Sequence, residues 1–281
     1  VLDASLVDDL VAEADRVYHL AAAVGVARVL RQPLASLETN ILGTEHVLRA
    51  CAARQRRVLI ASTSEVYGKN DKDALREDDD RVLGSARLAR WFYAAAKSID
   101  EAFALAYAQE RGLPVIVVRL FNTVGPRQTG RYGMVVPRFV RWALRNEPIR
   151  VYGDGLQTRC FTNVRDVVCA LTALMDTPRA AGEIFNIGQT REIGILDLAQ
   201  RIVALAESTS EIRLVPYDDD EAYGERAAAY EDMRRRVPDV SKLEEFTGFR
   251  PSVDLDQTLR EVIDYFLAQD SAAAAGTAQG R

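Results

Sequence analysis

The sequence predicts an α/β protein built on a doubly wound parallel sheet, and three observations carry that prediction. Strand and helix patterns alternate from the first residues onward. A long stretch with helical spacing, 33–53, opens on Pro33, a residue suited to a first helical turn. The run "LPVIVVRLF" at 113–121 is apolar almost throughout, as a parallel strand covered on both faces requires.

Taken in order, "VLDASLVDDLVAEADRVYHLAAAVG" reads as the tail of a strand, a helix with Asp3 and Ser5 as caps, and a strand at "RVYHLA". The 33–53 helix follows, then a strand "RVLIAS" at 57–62. A polar loop leads into a helix over 90–111 and the 113–121 strand. Beyond Thr123 the pattern loosens. Helices near 134–146, 163–176, 194–207 and 254–268 are separated by short strands at "IRVYG", "EIFNIG" and "EIRLVPY". The expected division is a sheet domain over 1–122 to which later strands contribute, a smaller α/β lobe made mainly of 123–268, and a disordered tail over 269–281.

The chain of 281 residues is 48% hydrophobic and 27% charged, with a net charge of −5, so a sizeable core is available and nonspecific nucleic-acid binding has no electrostatic support. No apolar run approaches the roughly 20 residues that cross a bilayer, and no secretory-signal pattern opens the chain. Three scattered cysteines and two histidines suit neither a disulfide framework nor a metal centre. A soluble, cytoplasmic protein without a metal is expected.

Two stretches carry chemistry. The 57–62 strand runs into "STSEVYG", which packs Ser62, Thr63, Ser64 and Glu65 together at its tip. An ordinary polar turn would account for that cluster alone. In "YAAAK", Tyr93 and Lys97 are four residues apart and share a helix face. A core tyrosine beside a snorkelling lysine would look the same. Set beside Thr63, the pair becomes a candidate base: an ammonium near a phenol favours the phenolate, and Thr63 can hold a substrate hydroxyl in line.

Together with "YHLAA" at 18–22, Asn40 in "NILGT", "RLFNTVGPR" at 119–127, "VYGDGLQTRCFTNVRD" at 151–166, "FNIG" at 185–188 and "RRRVPD" at 234–239, these motifs resemble the extended short-chain dehydrogenase/reductase family, specifically its nucleotide-sugar epimerases, dehydratases and decarboxylases. The resemblance implies a Rossmann-like domain, NAD as cofactor and a UDP-sugar as substrate. It implies that Leu20, Ala21, Ala22, Asn40, Ser62, Phe121, Tyr93 and Lys97 serve the cofactor. Thr63, Tyr93, Lys97 and Glu65 would be catalytic. Ser64 and Asn122 would meet the sugar, Val151 and Tyr152 the base, and Arg159 and Arg236 the diphosphate, while Arg131 or Arg127 would bind a C5 carboxylate. It further implies a homodimer joined by a four-helix bundle of the 33–53 and 90–111 helices.

The family's first strand and its glycine-rich phosphate turn have no counterpart here. The expectation is an N-terminally truncated sequence lacking about 60 residues, by comparison with a βαβ unit; the alternative is a chain that has lost cofactor affinity. All members share oxidation of the sugar at C4. Ser64 stands where 4,6-dehydratases of the family carry an aspartate, which disfavours dehydration. The expected activity is a UDP-sugar 4-epimerase acting on UDP-glucose or UDP-glucuronate. A UDP-glucuronate decarboxylase is the alternative, favoured by the T-S-E order at 63–65, and a non-catalytic nucleotide-sugar-binding relic is a further one.

Overall fold

The computed structural model describes residues 1–130, 133–216 and 233–278. Residues 1–3 are irregular rather than the tail of a strand, and Asp3 caps α1 (Ala4–Glu13) by accepting from the Leu6 N–H at 3.0 Å. β1 (Arg16–His19), α2 (Val26–Arg31) and α3 (Pro33–Arg54) lead to β2 (Arg57–Thr63). α4 (Phe92–Arg111) carries the chain to β3 (Val115–Leu120). Short β4 (Thr123–Val124), α5 (Val135–Leu144), β5 (Ile149–Tyr152), β6 (Thr158–Cys160) and β7 (Thr162–Asn163) follow. Then come α6 (Val164–Asp176), β8 (Ile184–Ile187), β9 (Glu192–Gly194), α7 (Ile195–Leu205), β10 (Ile212–Val215), α8 (Ser241–Thr247) and α9 (Leu255–Ala278).

The main sheet has the order β1-β2-β3-β8 and is parallel throughout. Alternation along β2 and β3 explains the two helical layers. Val58, Ile60, Val115 and Val117 face Val7 and Val11 of α1, Val47, Leu48 and Cys51 of α3, and Ala104 of α4. Leu59, Ile116 and Val118 face Val167, Leu171 and Leu174 of α6 and Leu243 of α8. Strands buried on both faces need apolar residues at every position, and that is why "VIVV" shows no alternation.

A second core joins α5, α7, α9 and β5 through Phe139, Val140, Leu198, Ile202, Val262 and Phe266. Its strands pair outside the main sheet, β5 with β10, β4 with β7 and β6 with β9. The "EIFNIG" strand, read with the smaller lobe, instead closes the main sheet as β8 against β3. The expected disordered tail also differs: residues 269–278 continue α9, since an alanine-rich stretch has high helix propensity even without an apolar period. Residues 279–281 lie outside the described residues.

Candidate active site

β1, β2 and β3 end at a cleft of about 440 Å³, lined on one side by loops of the main sheet and on the other by α5, Tyr152, Arg159 and Phe161. Thr63 ends β2 in extended geometry, and its hydroxyl oxygen accepts from the Glu65 N–H at 3.2 Å, capping the 3₁₀ turn Ser64–Tyr67. The turn closes on Gly68 at φ +59, where a Cβ would stand 2.2 Å from the Val82 carbonyl oxygen, so the position excludes a side chain. Val66 and Tyr67 turn into the core beside Leu75 and Phe121, leaving Thr63, Ser64 and Glu65 along the cleft. The polar cluster at the strand tip is therefore a built surface.

Tyr93 occupies the first turn of α4, and its phenol is hydrogen-bonded to the Thr63 hydroxyl. Burial, reinforced by the negative charges of Glu65 and Asp100, pushes the phenol above its ordinary value. Lys97, one turn along, reaches the cleft with a side chain 2% exposed, and its Nζ lies 3.0 Å from Asp100 Oδ2. This corrects the expectation that the ammonium draws the phenol down: Asp100 matches the Lys97 charge, and burial dominates what Tyr93 feels.

Glu65 is clamped. Arg90 Nη1 donates to Glu65 Oε2 at 2.7 Å, and Arg236 Nη1 stands 3.6 Å from Glu65 Oε1. Burial alone would raise this carboxyl, but Arg90, Arg236 and Arg159 outweigh it and hold the group below the usual carboxylate range. Arg236, expected at the diphosphate, also donates to Ser64 Oγ at 3.3 Å and so sits beside the strand tip. Its segment is pulled there by backbone bonds from Leu75 N to Val237 O and from Asp239 N to Leu75 O, both 2.8 Å.

Arg90 was not among the expected residues. It lies in a 3₁₀ turn, Ala89–Trp91, buried, with its guanidinium 5.2 Å from the Trp91 ring centroid. The available signal was its position three residues before Tyr93, which places both on one side as the chain winds into α4.

The other expected residues separate clearly. Leu20 and Ala22 line the cleft, whereas Ala21 is exposed and outside it, as alternation along extended chain requires. Asn40 supports that wall from behind: its Oδ1 accepts from Ala23 N at 2.6 Å and its Nδ2 donates to Ala23 O at 3.2 Å. Ser62 borders the cleft, but its hydroxyl donates to Glu101 Oε1 at 2.6 Å. Phe121, Asn122, Tyr152 and Arg159 line the cleft. Val151 does not; β5 alternates, so its side chain enters the second core. Tyr152 accepts a hydrogen bond from Arg138 Nη2 at 3.0 Å, and Arg138, also unforeseen, lines the same wall. Arg127 is exposed at φ 70 and outside the cleft lining, and Arg131 lies outside the described residues.

An apolar wall at Leu20, Ala22 and Val24, its backbone pinned by Asn40, faces the same cleft as the Lys97 ammonium and the Tyr93 hydroxyl. Those residues fit the nicotinamide-riboside half of a dinucleotide: a flat apolar plate with hydroxyl-binding donors beside it.

A parallel sheet with its polar cleft at the strand ends, and a Tyr–Lys pair facing a strand-tip threonine, defines the class of short-chain dehydrogenases/reductases. The family model described as GDP-mannose 4,6 dehydratase matches residues 1–262. UDP-N-acetyl-alpha-D-glucosaminuronate decarboxylase of Bacillus cytotoxicus is 43% identical over 267 residues, which covers 95% of this chain and 81% of that protein. UDP-glucuronic acid decarboxylase 1 of Danio rerio is 34% identical over 95% of this chain, which spans 60% of that relative's length. Among solved structures, UDP-glucose 4-epimerase of Thermotoga maritima with UDP-glucose superposes with a TM-score of 0.84 at 28% identity, covering 95% of this chain and 82% of the other. UDP-glucuronic acid 4-epimerase of Bacillus cereus, in complex with UDP-glucuronic acid and NAD, gives 0.81 at 27% identity, covering 94% and 78%. The chain belongs to the GDP-mannose 4,6-dehydratase family of extended short-chain dehydrogenases/reductases, alongside these UDP-sugar decarboxylases and epimerases.

Proposed function

We propose that this chain is an NAD-dependent UDP-uronate decarboxylase. The observation that carries the reading is the clamp on Glu65: Arg90, Arg236 and Arg159 gather around one carboxylate, next to the Tyr93–Thr63 pair. Guanidiniums gathered at one end of the cleft offer charge-assisted, forked hydrogen bonds of the kind that receive a carboxylate, which a uronate carries at C6 and a neutral hexose lacks.

Tyr93 takes the proton of the C4 hydroxyl while Thr63 holds that hydroxyl in line. NAD, when bound, supplies the hydride acceptor for C4. Oxidation at C4 places the carboxylate β to a ketone. The C5–C6 bond then breaks, CO₂ leaves, and the electron pair is held at O4, where Tyr93 and Thr63 donate to it. A proton returns to C5, and as C4 regains the hydride it gave up, Tyr93 hands its proton back to O4, leaving a UDP-pentose and the cofactor in its starting oxidation state. Leu20 and Ala22 form the cofactor wall, Lys97 and Tyr93 meet its ribose, Arg159 holds the diphosphate, and Tyr152, backed by Arg138, flanks the base. The sequence motifs alone point first to 4-epimerisation. The clamp and the 43% identity to a decarboxylase favour decarboxylation, and the N-acetylated uronate becomes the first substrate to try. Epimerisation of a UDP-uronate is the second reading, supported by the fold shared with the Bacillus cereus enzyme.

The test is turnover of UDP-N-acetylglucosaminuronate, UDP-glucuronate and UDP-glucose with NAD, with products identified by nuclear magnetic resonance. UDP-pentose from a uronate supports the proposal; turnover of UDP-glucose alone overturns it.

We further infer a homodimer through α3 and α4, whose exposed Leu42, Ile99 and Phe103 offer apolar surface. A cytoplasmic setting fits the free thiols Cys51, Cys160 and Cys169. Among the described residues, no helix is long and apolar enough to cross a membrane.

A further inference from the structure

We infer that Asp100 is a positioning residue for the Tyr93–Lys97 pair, anchoring the ammonium from behind and offsetting its charge, with Thr44 and His19 completing the anchor. Asp100 follows Lys97 by three residues on α4, is 0% exposed, and never reaches the cleft. A lysine buried this deeply needs a partner, because an uncompensated charge in the interior is costly. Asp100 is that partner at 3.0 Å.

The neighbouring elements fix the arrangement. From α3, the buried Thr44 hydroxyl faces the Asp100 carboxylate. From β1, His19 Nε2 lies 3.2 Å from Thr44 Oγ1. His19 is pushed down to about 4 by burial and by the Lys97 charge, so it is neutral at working pH and adds no charge of its own. On α4 itself, Glu101 is matched by Arg119 at 2.9 Å and is bonded to Ser62 of β2. From the turn after β2, Glu65 is the other negative group that Tyr93 feels, and Arg90 clamps it. Asp100 is thus the carboxylate that the Lys97 ammonium contacts among the described residues. Its charge acts on the phenol directly and by offsetting that of Lys97, one helical turn away. With Asp100 charged, Tyr93 rests protonated. With that charge removed, Lys97 faces the phenol unmatched and favours the phenolate.

The proposal rests on Tyr93 as the base of the site, so its readout is Tyr93 ionisation itself, without nucleotide or substrate. Protein carrying ¹³C at the tyrosine Cζ is titrated by nuclear magnetic resonance, and the Tyr93 signal is assigned by its loss in Tyr93→Phe. Asp100→Asn is expected to lower the Tyr93 midpoint by about one pH unit or more, worth about tenfold more phenolate at a given pH below the midpoint. Asp100→Glu keeps the wild-type midpoint, and the acidic limb of the kcat profile moves with the phenol. Thr44→Val, which weakens support for the carboxylate while preserving shape, gives a smaller fall and carries the test if Asp100→Asn does not fold. An unchanged or raised midpoint in a folded Asp100→Asn or Thr44→Val protein overturns the proposal. Full turnover in Tyr93→Phe overturns the assignment of the base instead.

Discussion

Tyr93, Thr63 and Glu65 meet at one point because a strand tip and a helix start converge there. Tyr93→Phe removes the phenolic oxygen and nothing else, and turnover is expected to fall by about 10²–10⁴, read as kcat with substrate binding retained. Glu65→Gln keeps shape but breaks the charge balance with Arg90 and Arg236, so decarboxylation falls while the protein stays folded. Its acid response tests the sign of the shift. A carboxyl held low in the folded state contributes stability that is present above the unfolded value of about 4.3 and lost as pH falls through the lower folded value. Unfolding curves of Glu65→Gln are therefore expected to lose less stability than wild type on acidification below that pH. Tyr93, Lys97, Thr63 and Glu65 were legible in the sequence because each sits in a contiguous motif. Arg90 was not, because its role depends on Glu65, 25 residues earlier, and no periodicity connects the two. Arg236 was legible only through its motif, since what brings it beside Ser64 and Glu65 is a pair of backbone bonds between its segment and Leu75.

α4 is the element on which the site is mounted. Its inward face carries Tyr93, Lys97, Asp100, Glu101 and Ala104, the spacing of one helical stripe. Glu101 ties that face to β3 through two bonds to Arg119, Nε to Oε1 and Nη2 to Oε2, each 2.9 Å. Arg119 continues to the Tyr67 hydroxyl at 3.0 Å, and Tyr67 donates to Asn186 Oδ1 of β8 at 2.8 Å. Both charges are almost fully buried, so Glu101→Gln is expected to destabilise the fold by about 3–5 kcal/mol, measured by chemical denaturation. The long helices and apolar strands could be read from period and length. β4, β6, β7 and β9 could not, because strands of two or three residues carry no period of their own and exist only through their partners. β8 was seen as a strand, but which of the later strands joins the main sheet was not, since "IFNI" does not reveal its partner.

At the scale of the whole molecule, two cores meet across one cleft, and the surface of α3 and α4 lies away from it. If that surface joins two copies, Ile99→Asp with Phe103→Asp is expected to give a monomer by sedimentation while leaving the secondary structure intact; a wild-type monomer contradicts the dimer. The main sheet was legible as a whole because alternation of strands and helices leaves few topologies. The second lobe was legible only as a list of helices, because its core draws on α5, α7 and α9 from distant parts of the chain. The cleft is proposed to remove a carboxylate from a UDP-uronate. Turnover of a UDP-uronate carrying ¹³C at C6, with NAD supplied, tests it most directly. The expected result is ¹³C in released CO₂ and a UDP-pentose without label; a C4-inverted uronate that keeps all of its ¹³C would contradict it.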